Sequence, residues 1–289
     1  MATELDNTAT DNSDNLVNLS VLEARAVEFA ERYRTAEPYG HIVIDDVLAP
    51  ATLAAVYSEL AEMQSESWNS YHHLNERKFS HTDMAQWGPT TRAVTDVLAG
   101  DRFVSFLETV TGFAGLHADL TLDGGGLHRC YRGGFLNIHA DFTAHHRIPN
   151  WRRRVNLLLY LNPTWDEAWG GDLELWDPTM SHRVSSVAPL GNRILLFSTD
   201  ELSFHGHPEP LTAPDGVARQ SLALYYFTEE AQPLTKATDY RPRPEDGRRG
   251  LLIRADSRVL AGYDAIKRRF GLSDRSVRRI MGWFARRSD

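Results

Sequence analysis

Apolar residues recur along this chain with two different periods, and the change between them falls near residue 115. Before it, VLEARAVEFAERYRTA places Val21, Ala24, Val27 and either Phe29 or Tyr33 near helical spacing, predicting one amphipathic helix from Ser20 that Pro38 ends. HIVIDDVL predicts a short strand, ATLAAVYSELAEM after Pro50 a second helix, and TRAVTDVLAG and RFVSFLETVTG two more. Beyond residue 115 the runs become short, β-branched and aromatic: LHRCYRGGFLNIHADF, RRVNLLLYLNP, GGDLELWDP, HRVSSVAPL, NRILLFST and ARQSLALYYFT, separated by Gly, Pro, Asn and Asp clusters. Short strands at such spacing predict an all-β sandwich or barrel, of which the jelly roll is one two-sheet solution. Helical spacing returns after Pro242 and Pro244 in DSRVLAGYDAIKRRFG and SDRSVRRIMGWFARR, where Ser273 stands at an N-cap position and Val277, Ile280, Met281 and Phe284 form one stripe.

The organisation expected is therefore a polar, disordered leader over 1–18, a helical and strand support region over 19–115, a β core over 116–232 and a basic helical tail over 233–289, packed on or beside the core. The fold class is mainly β with flanking helices. The chain has 289 residues, 42% of them hydrophobic and 24% charged, which is ordinary for a globular protein and excludes disorder throughout. Charge is uneven: residues 241–289 hold 14 Lys and Arg against 6 Asp and Glu, whereas residues 1–240 hold 17 against 33. A basic tail lying on its own acidic body accounts for this, with an anionic surface as the alternative; no nucleic-acid partner is expected. The opening has no basic segment followed by an apolar one, and no apolar run approaches a membrane span. With Cys130 as the one cysteine, no internal disulfide is possible, and a reducing cytoplasm fits.

The chemistry concentrates in FLNIHADF. In a strand, residues i and i+2 share a face, so His139 and Asp141 converge on one point, and burying both is reasonable around a divalent metal. His-x-Asp alone is a common pattern, and a solvent-facing strand edge explains it as well. Two further features weigh against that reading. FSTDELSFHGHPEP carries His205 and His207 at the end of the apolar strand NRILLFST, where either could complete a set of two histidines and one carboxylate, the arrangement associated with non-haem Fe(II). Arg219 heads the apolar strand RQSLALYYF with Ser221 on the same face, where a buried guanidinium would grip a carboxylate.

The ordered series YRGGFLNIHADF, RRVNLLLYLNPTWDEAWGGDLELWD, PLGNRILLF, SFHGHPEPL and RQSLALYYF resembles the Fe(II)/2-oxoglutarate oxygenases of the prolyl 4-hydroxylase type, over roughly residues 120 to 229. The resemblance implies a double-stranded β-helix, a jelly roll with its metal near the open end. It also implies that His139, Asp141 and His205 bind Fe(II), and it prefers His205 over His207 because the family's ligand directly precedes a glycine. Arg219 would pair with the distal carboxylate of 2-oxoglutarate, assisted by Tyr160, Ser221 or both, and Tyr131 matches a cosubstrate-pocket tyrosine. Asn156 shares the parity of Tyr160 and is a pocket candidate too. O2 and, as a candidate, ascorbate complete the implied cofactors.

The activity implied is hydroxylation of a C–H bond with release of succinate and CO2, and the presence of Asp141 separates the chain from related halogenases, which leave that ligand position open. A prolyl, peptidyl or amino-acid-like substrate is the first expectation; a sugar, lipid or natural product is the alternative, and a cupin-like or catalytically dead binding module is the rival from another class. Arg219 and Tyr160 count against the rival, since a structural metal needs neither. The N-terminal helices and residues 68–90 are candidate pieces of the substrate mouth. His72, His73, His128, His145 and His146 read as solvated, Arg152, Arg153 and Arg154 as mostly exposed with one able to face an anionic substrate, and Trp165, Trp169 and Trp176 as core packing.

Overall fold

The computed structural model describes residues 12–257 and Gly262. The amphipathic helices expected beyond residue 257 lie outside the described residues, as do residues 1–11; residues 249–257 are helical. Part of the expected leader is ordered: Val17 is fully buried and bridges Leu48.

The segment read as one helix is two, α1 (Leu19–Ala24) and α2 (Ala26–Arg34), broken where Arg25 leaves helical geometry at ψ 5°. Its buried face is also different. Leu19, Leu22, Ala26, Phe29 and Tyr33, spaced alternately by three and four, turn inward, while Val21 and Val27 are 59% and 81% exposed. The larger side chains bury more apolar area, so they decide which face packs. The other predicted helices form as α3 (Pro50–Glu62), α4 (Pro89–Ala99) and α5 (Asp101–Thr111). Pro50 and Pro89 open theirs at a position where the missing N–H is no loss, and Gly112 closes α5 at φ 76°, a left-handed conformation glycine adopts freely. The Glu59 carboxylate on α3 accepts the N–H groups of Thr90 and Thr91, both at 2.7 Å, so one helix caps the next.

The strands are β1 (His41–Asp45), β2 (Asn69–His72), β3 (Glu76–His81), β4 (His117–Ala118), β5 (Gly126–Cys130), β6 (Phe135–Ala140), β7 (Trp151–Tyr160), β8 (Leu173–Trp176), β9 (Arg183–Val187), β10 (Arg193–Ser198), β11 (His205–His207), β12 (Arg219–Glu229) and β13 (Asp239–Tyr240). They form one sheet in the order β1-β10-β7-β12-β5-β3-β6-β11-β8-β9, with β13 on β6, β2 on β3 and β4 on β12. Every pairing is antiparallel. The sheet curls over into a nearly closed, barrel-like jelly roll, the expected class. Its two halves meet face to face: the Phe197 ring on β10 lies 4.6 Å from that of His205 on β11.

Alternation along the strands sorts residues between two layers. Leu157, Leu159, Ile194, Leu196, Leu222 and Leu224 face outward and join Phe29, Phe103, Phe106 and Leu107 of the helices in the main core. Burying each such side chain is worth roughly 1.5–3 kcal/mol. The intervening Leu158, Tyr160, Leu195, Phe197, Ala223 and Tyr225 line the interior.

Residues 19–115 are more than an outer support, because β1 pairs β10 and β3 pairs with β5 through Phe79, Ser80 and His81 and with β6 through Glu76 and Arg77. The hairpin of β2 and β3 falls in the stretch expected to border the substrate mouth. Its sequence, NSYH and ERKFSH, is too polar to read as buried strand.

Candidate active site

His139 and His205 are directly opposite each other on β6 and β11, with ring centroids 4.5 Å apart. Asp141 lies just past the end of β6, its Oδ1 3.5 Å from His139 Nε2 and its Oδ2 3.4 Å from His205 Nε2. The three can each offer one ligand atom within 4.8 Å of the others. Both imidazoles are aimed. Nδ1 of His139 donates to the Asn137 carbonyl and Nδ1 of His205 to the Ser203 carbonyl, each at 2.9 Å, and since a carbonyl only accepts, the Nε2 lone pairs are left facing Asp141. Burial, followed by the neighbouring His139, pushes the His205 pKa down to about 4, so the ring is neutral and able to ligate at ordinary pH. Burial alone would raise the Asp141 pKa, but Arg153 and the two histidines outweigh it and hold the carboxyl well below its usual range. Two imidazole nitrogens and one carboxylate fit a divalent metal such as Fe(II) and leave positions open opposite them.

Gly206 explains the HGH sequence. A Cβ there would stand 2.7 Å from the Leu136 carbonyl oxygen and 2.8 Å from that of Asn137, so β11 approaches β6 closely only with glycine between the histidines.

Asn156, expected as a pocket residue, is in the site but is committed to the ligand set: its Nδ2 donates to Asp141 Oδ2 at 2.7 Å and its Oδ1 accepts from Arg153 Nε at 2.7 Å. Arg153 overturns the expectation of an exposed arginine run. Its side chain is fully buried, 3.0 Å from Asp141 Oδ2, with its guanidinium 3.4 Å from the Tyr225 ring centroid. Strict alternation from Asn156 selects Arg154 as the inward residue. The register of β7 against β12 slips there, Tyr226 facing Val155 and Phe227 facing Arg153, so Arg154 is the extra residue and Arg153 turns inward. Arg154 instead reaches Thr228 and Glu230.

Further along the interior wall Arg219 is 6% exposed, donates from Nε to the Gly171 carbonyl at 2.7 Å, and lies 3.4 Å from the Tyr160 hydroxyl. Among the described residues it has no carboxylate partner. Burial raises the Tyr160 pKa against the opposing charge of Arg219, so the phenol stays protonated and can donate. Ser221 is opposite Tyr160 on the neighbouring strand and faces the same interior. Strand rise puts the Asn156 and Tyr160 ends of this wall about 13 Å apart. Gly171 has φ 82°, and above it Trp165 and Trp169 meet edge to face at 5.3 Å. These two tryptophans are only half-buried, unlike Trp176, which is in the core as expected.

Tyr131 is not brought to this pocket. His128 and Cys130 take the inward positions of β5, so Tyr131 lies on the helix-facing side, its ring 5.8 Å from Phe79, and it is 36% exposed. His207 lies outside the metal cluster, with Nε2 3.9 Å from Cys130 Sγ. Burial, with Arg219 nearby, holds its pKa far below the usual histidine range.

The histidines read as solvated are mostly not. His145 is 2% exposed and 3.4 Å from Asp119, and His146 pairs with Asp123 at 2.5 Å, because the loop after β6 folds back onto residues 119–123. His128 is half-buried, and burial followed by Lys78 pushes its pKa down to about 3. His73 bridges Glu76 at 2.9 Å and Asp256 at 3.3 Å; His72 alone is exposed as expected. Lys78 pairs with Glu76 at 2.9 Å. These paired charges fall in short polar strands whose partners are far along the chain.

Residues 125–227 match the 2OG-Fe(II) oxygenase superfamily. The chain is 34% identical over 80 residues to prolyl 3-hydroxylase OGFOD1 of Mus musculus, an alignment covering 26% of this chain and 14% of that protein. Among solved structures, a prolyl hydroxylase of Trichoplax adhaerens in complex with a hypoxia inducible factor peptide fragment aligns with TM-score 0.53 and 19% identity, covering 73% of this chain and 92% of that one. A prolyl-4-hydroxylase of Pseudomonas putida aligns with TM-score 0.51 and 16% identity, covering 71% and 100%. At these identities the structural matches establish the fold.

Proposed function

We propose that this chain, which carries a 2OG-Fe(II) oxygenase domain of the prolyl-hydroxylase type at residues 125–227, is a dioxygenase that hydroxylates a prolyl residue of a peptide or protein. The observation that carries the reading is the joint presence, in the interior of one jelly roll, of the His139, Asp141 and His205 cluster and a buried arginine without a carboxylate partner among the described residues. Fe(II) held by that cluster, with 2-oxoglutarate, supplies the oxidising chemistry, one oxygen atom of O2 entering the substrate C–H bond and the other the succinate formed with CO2.

The protein's own residues bind and orient. His139, Asp141 and His205 would hold the metal from one side. Asn156 and Arg153 keep the Asp141 carboxylate ionised and fixed in direction. Arg219, braced by the Gly171 carbonyl, would receive the distal carboxylate, with the Tyr160 hydroxyl as a second donor and Ser221 beside it. Phe197, Tyr225 and Tyr240 surround the metal end with apolar surface that excludes water. Preference for a prolyl substrate draws on the mouse prolyl 3-hydroxylase and the two prolyl hydroxylase folds. Cytoplasmic location is part of the same reading, drawn from the single, buried Cys130; no helix among the described residues is long and apolar enough to cross a membrane.

The test is an anaerobic titration of the apoprotein with Fe(II) and then 2-oxoglutarate, followed by the visible charge-transfer band of the chelate. A band that weakens in Arg219→Ala, with succinate formation dependent on a proline-containing peptide that gains one oxygen atom, is the expected result. Iron binding without a band would refute the dioxygenase reading, and a band without any peptide-dependent turnover would refute the prolyl one.

A further inference from the structure

The interior walls can be followed row by row. Tyr160, Ser221, His128 and Ser80 stand opposite one another across β7, β12, β5 and β3, and one pair further along, Arg219 stands opposite Cys130. His207 reaches this second row from the facing half of the sheet. It follows the candidate ligand His205 by two residues on β11, is 4% exposed, and puts Nε2 3.9 Å from the Cys130 sulfur. Its ring therefore reaches the level of Arg219.

One nitrogen of that ring is unaccounted for. Nδ1 of His207 is buried without a hydrogen-bond partner, which native interiors avoid because an unmet buried polar group loses its hydration without replacement. The sulfur contact at 3.9 Å is weak, so the orphaned nitrogen is the ring's main polar capacity. Lys78, the other cationic side chain of this region, is already engaged by Glu76 at 2.9 Å. The outer nitrogens of Arg153 are answered by the Asp141 carboxylate, 3.0 Å from one of them, whereas Nδ1 of His207 on the Arg219 side has no such counterpart.

We infer that His207 is a cosubstrate-binding residue, its free ring N–H donating to the dicarboxylate that Arg219 anchors. The inference rests on the reading of Arg219 as that anchor and adds a second, uncharged donor from the opposite wall. A donor from β11 at the level of Arg219 would fix where the distal carboxylate sits, and so favour a dicarboxylate of one length. It also assigns the histidine that competes with His205 in the sequence: His205 ligates metal and His207 holds the cosubstrate.

The experiment measures Mn(II) affinity and then 2-oxoglutarate affinity of the Mn(II)-loaded protein by calorimetry, for the wild type, His207→Leu, His207→Asn and Arg219→Met. His207→Leu should bind Mn(II) unchanged and 2-oxoglutarate about tenfold more weakly, the loss of one neutral hydrogen bond. His207→Asn, whose amide nitrogen can take the place of Nδ1, should recover most of that loss, which a packing role alone would not produce. Equal 2-oxoglutarate affinity in wild type and His207→Leu, with Arg219→Met still impaired, would overturn the inference and leave the anchor intact. No 2-oxoglutarate binding by the wild type would overturn both, and loss of Mn(II) binding in His207→Leu would make His207 a ligand.

Discussion

Asn156 spends its side-chain amide on two neighbours at once, giving a hydrogen bond to Asp141 and taking one from Arg153, both at 2.7 Å. It thus holds the one carboxylate of the ligand set from behind, the kind of outer contact that orients a ligand and raises affinity for the ion.

Asn156→Ala should therefore weaken Mn(II) binding by roughly 10- to 100-fold while leaving the fold intact. Calorimetric titration of the folded variant checks this. Unchanged affinity would show that Arg153 alone aims Asp141.

Removing Arg153 acts on stability more than on geometry. Arg153→Leu leaves Asp141 buried without its compensating cation, a loss on the order of 3–5 kcal/mol in the metal-free protein. A bound divalent ion replaces the missing positive charge. The gap in thermal midpoint between variant and wild type should accordingly narrow when Mn(II) replaces chelator, and a gap independent of metal would refute this account.

Gly171→Ala probes the other end of the cavity. At φ 82° any Cβ is strained by about 1–2 kcal/mol, and here it would also stand 2.6 Å from Leu211 and 3.1 Å from Arg219 Cδ. The variant should lose 2-oxoglutarate affinity because Arg219 is displaced, with Mn(II) affinity retained. Parallel loss of both would mean that the two ends are not independent.

The fourth prediction concerns pH. Burial opposes charge on His73, but Glu76 and Asp256 outweigh it and raise its pKa above the usual value. Stability from this histidine is then fully present below about pH 6.5 and is lost as pH rises through the raised value. Because Asp256 belongs to the helical residues 249–257, their attachment should weaken in the same range. Urea midpoints of wild type and His73→Gln should converge as pH is raised from 6 to 9; curves that stay parallel would count against the pair.

The sequence made the β core, its strand segments and the pairing of His139 with Asp141 legible, because alternation is written locally. Arg219 was singled out because it heads a long apolar strand, and Tyr160 only through the resemblance to the oxygenases; both stand on inward positions. Arg153 was not, since the slip that turns it inward is decided by where β12 places its extra contact and not by anything in RRR itself. Tyr131 was misjudged because β5 ends one residue before it, with Cys130 already inward. The pairs His145 with Asp119 and His146 with Asp123 join loops more than twenty residues apart, and a loop histidine carries no local mark of its partner.

β3 runs along β5 and then β6: Phe79, Ser80 and His81 pair with Arg129, His128 and Leu127, and Glu76 and Arg77 pair with Leu136 and Phe135. β5 and β6 are otherwise joined only in sequence, by residues 131–134. A strand from the N-terminal region therefore splints the strand beside Arg219 to the strand that carries His139, and loosening residues 76–81 should weaken Mn(II) and 2-oxoglutarate binding together.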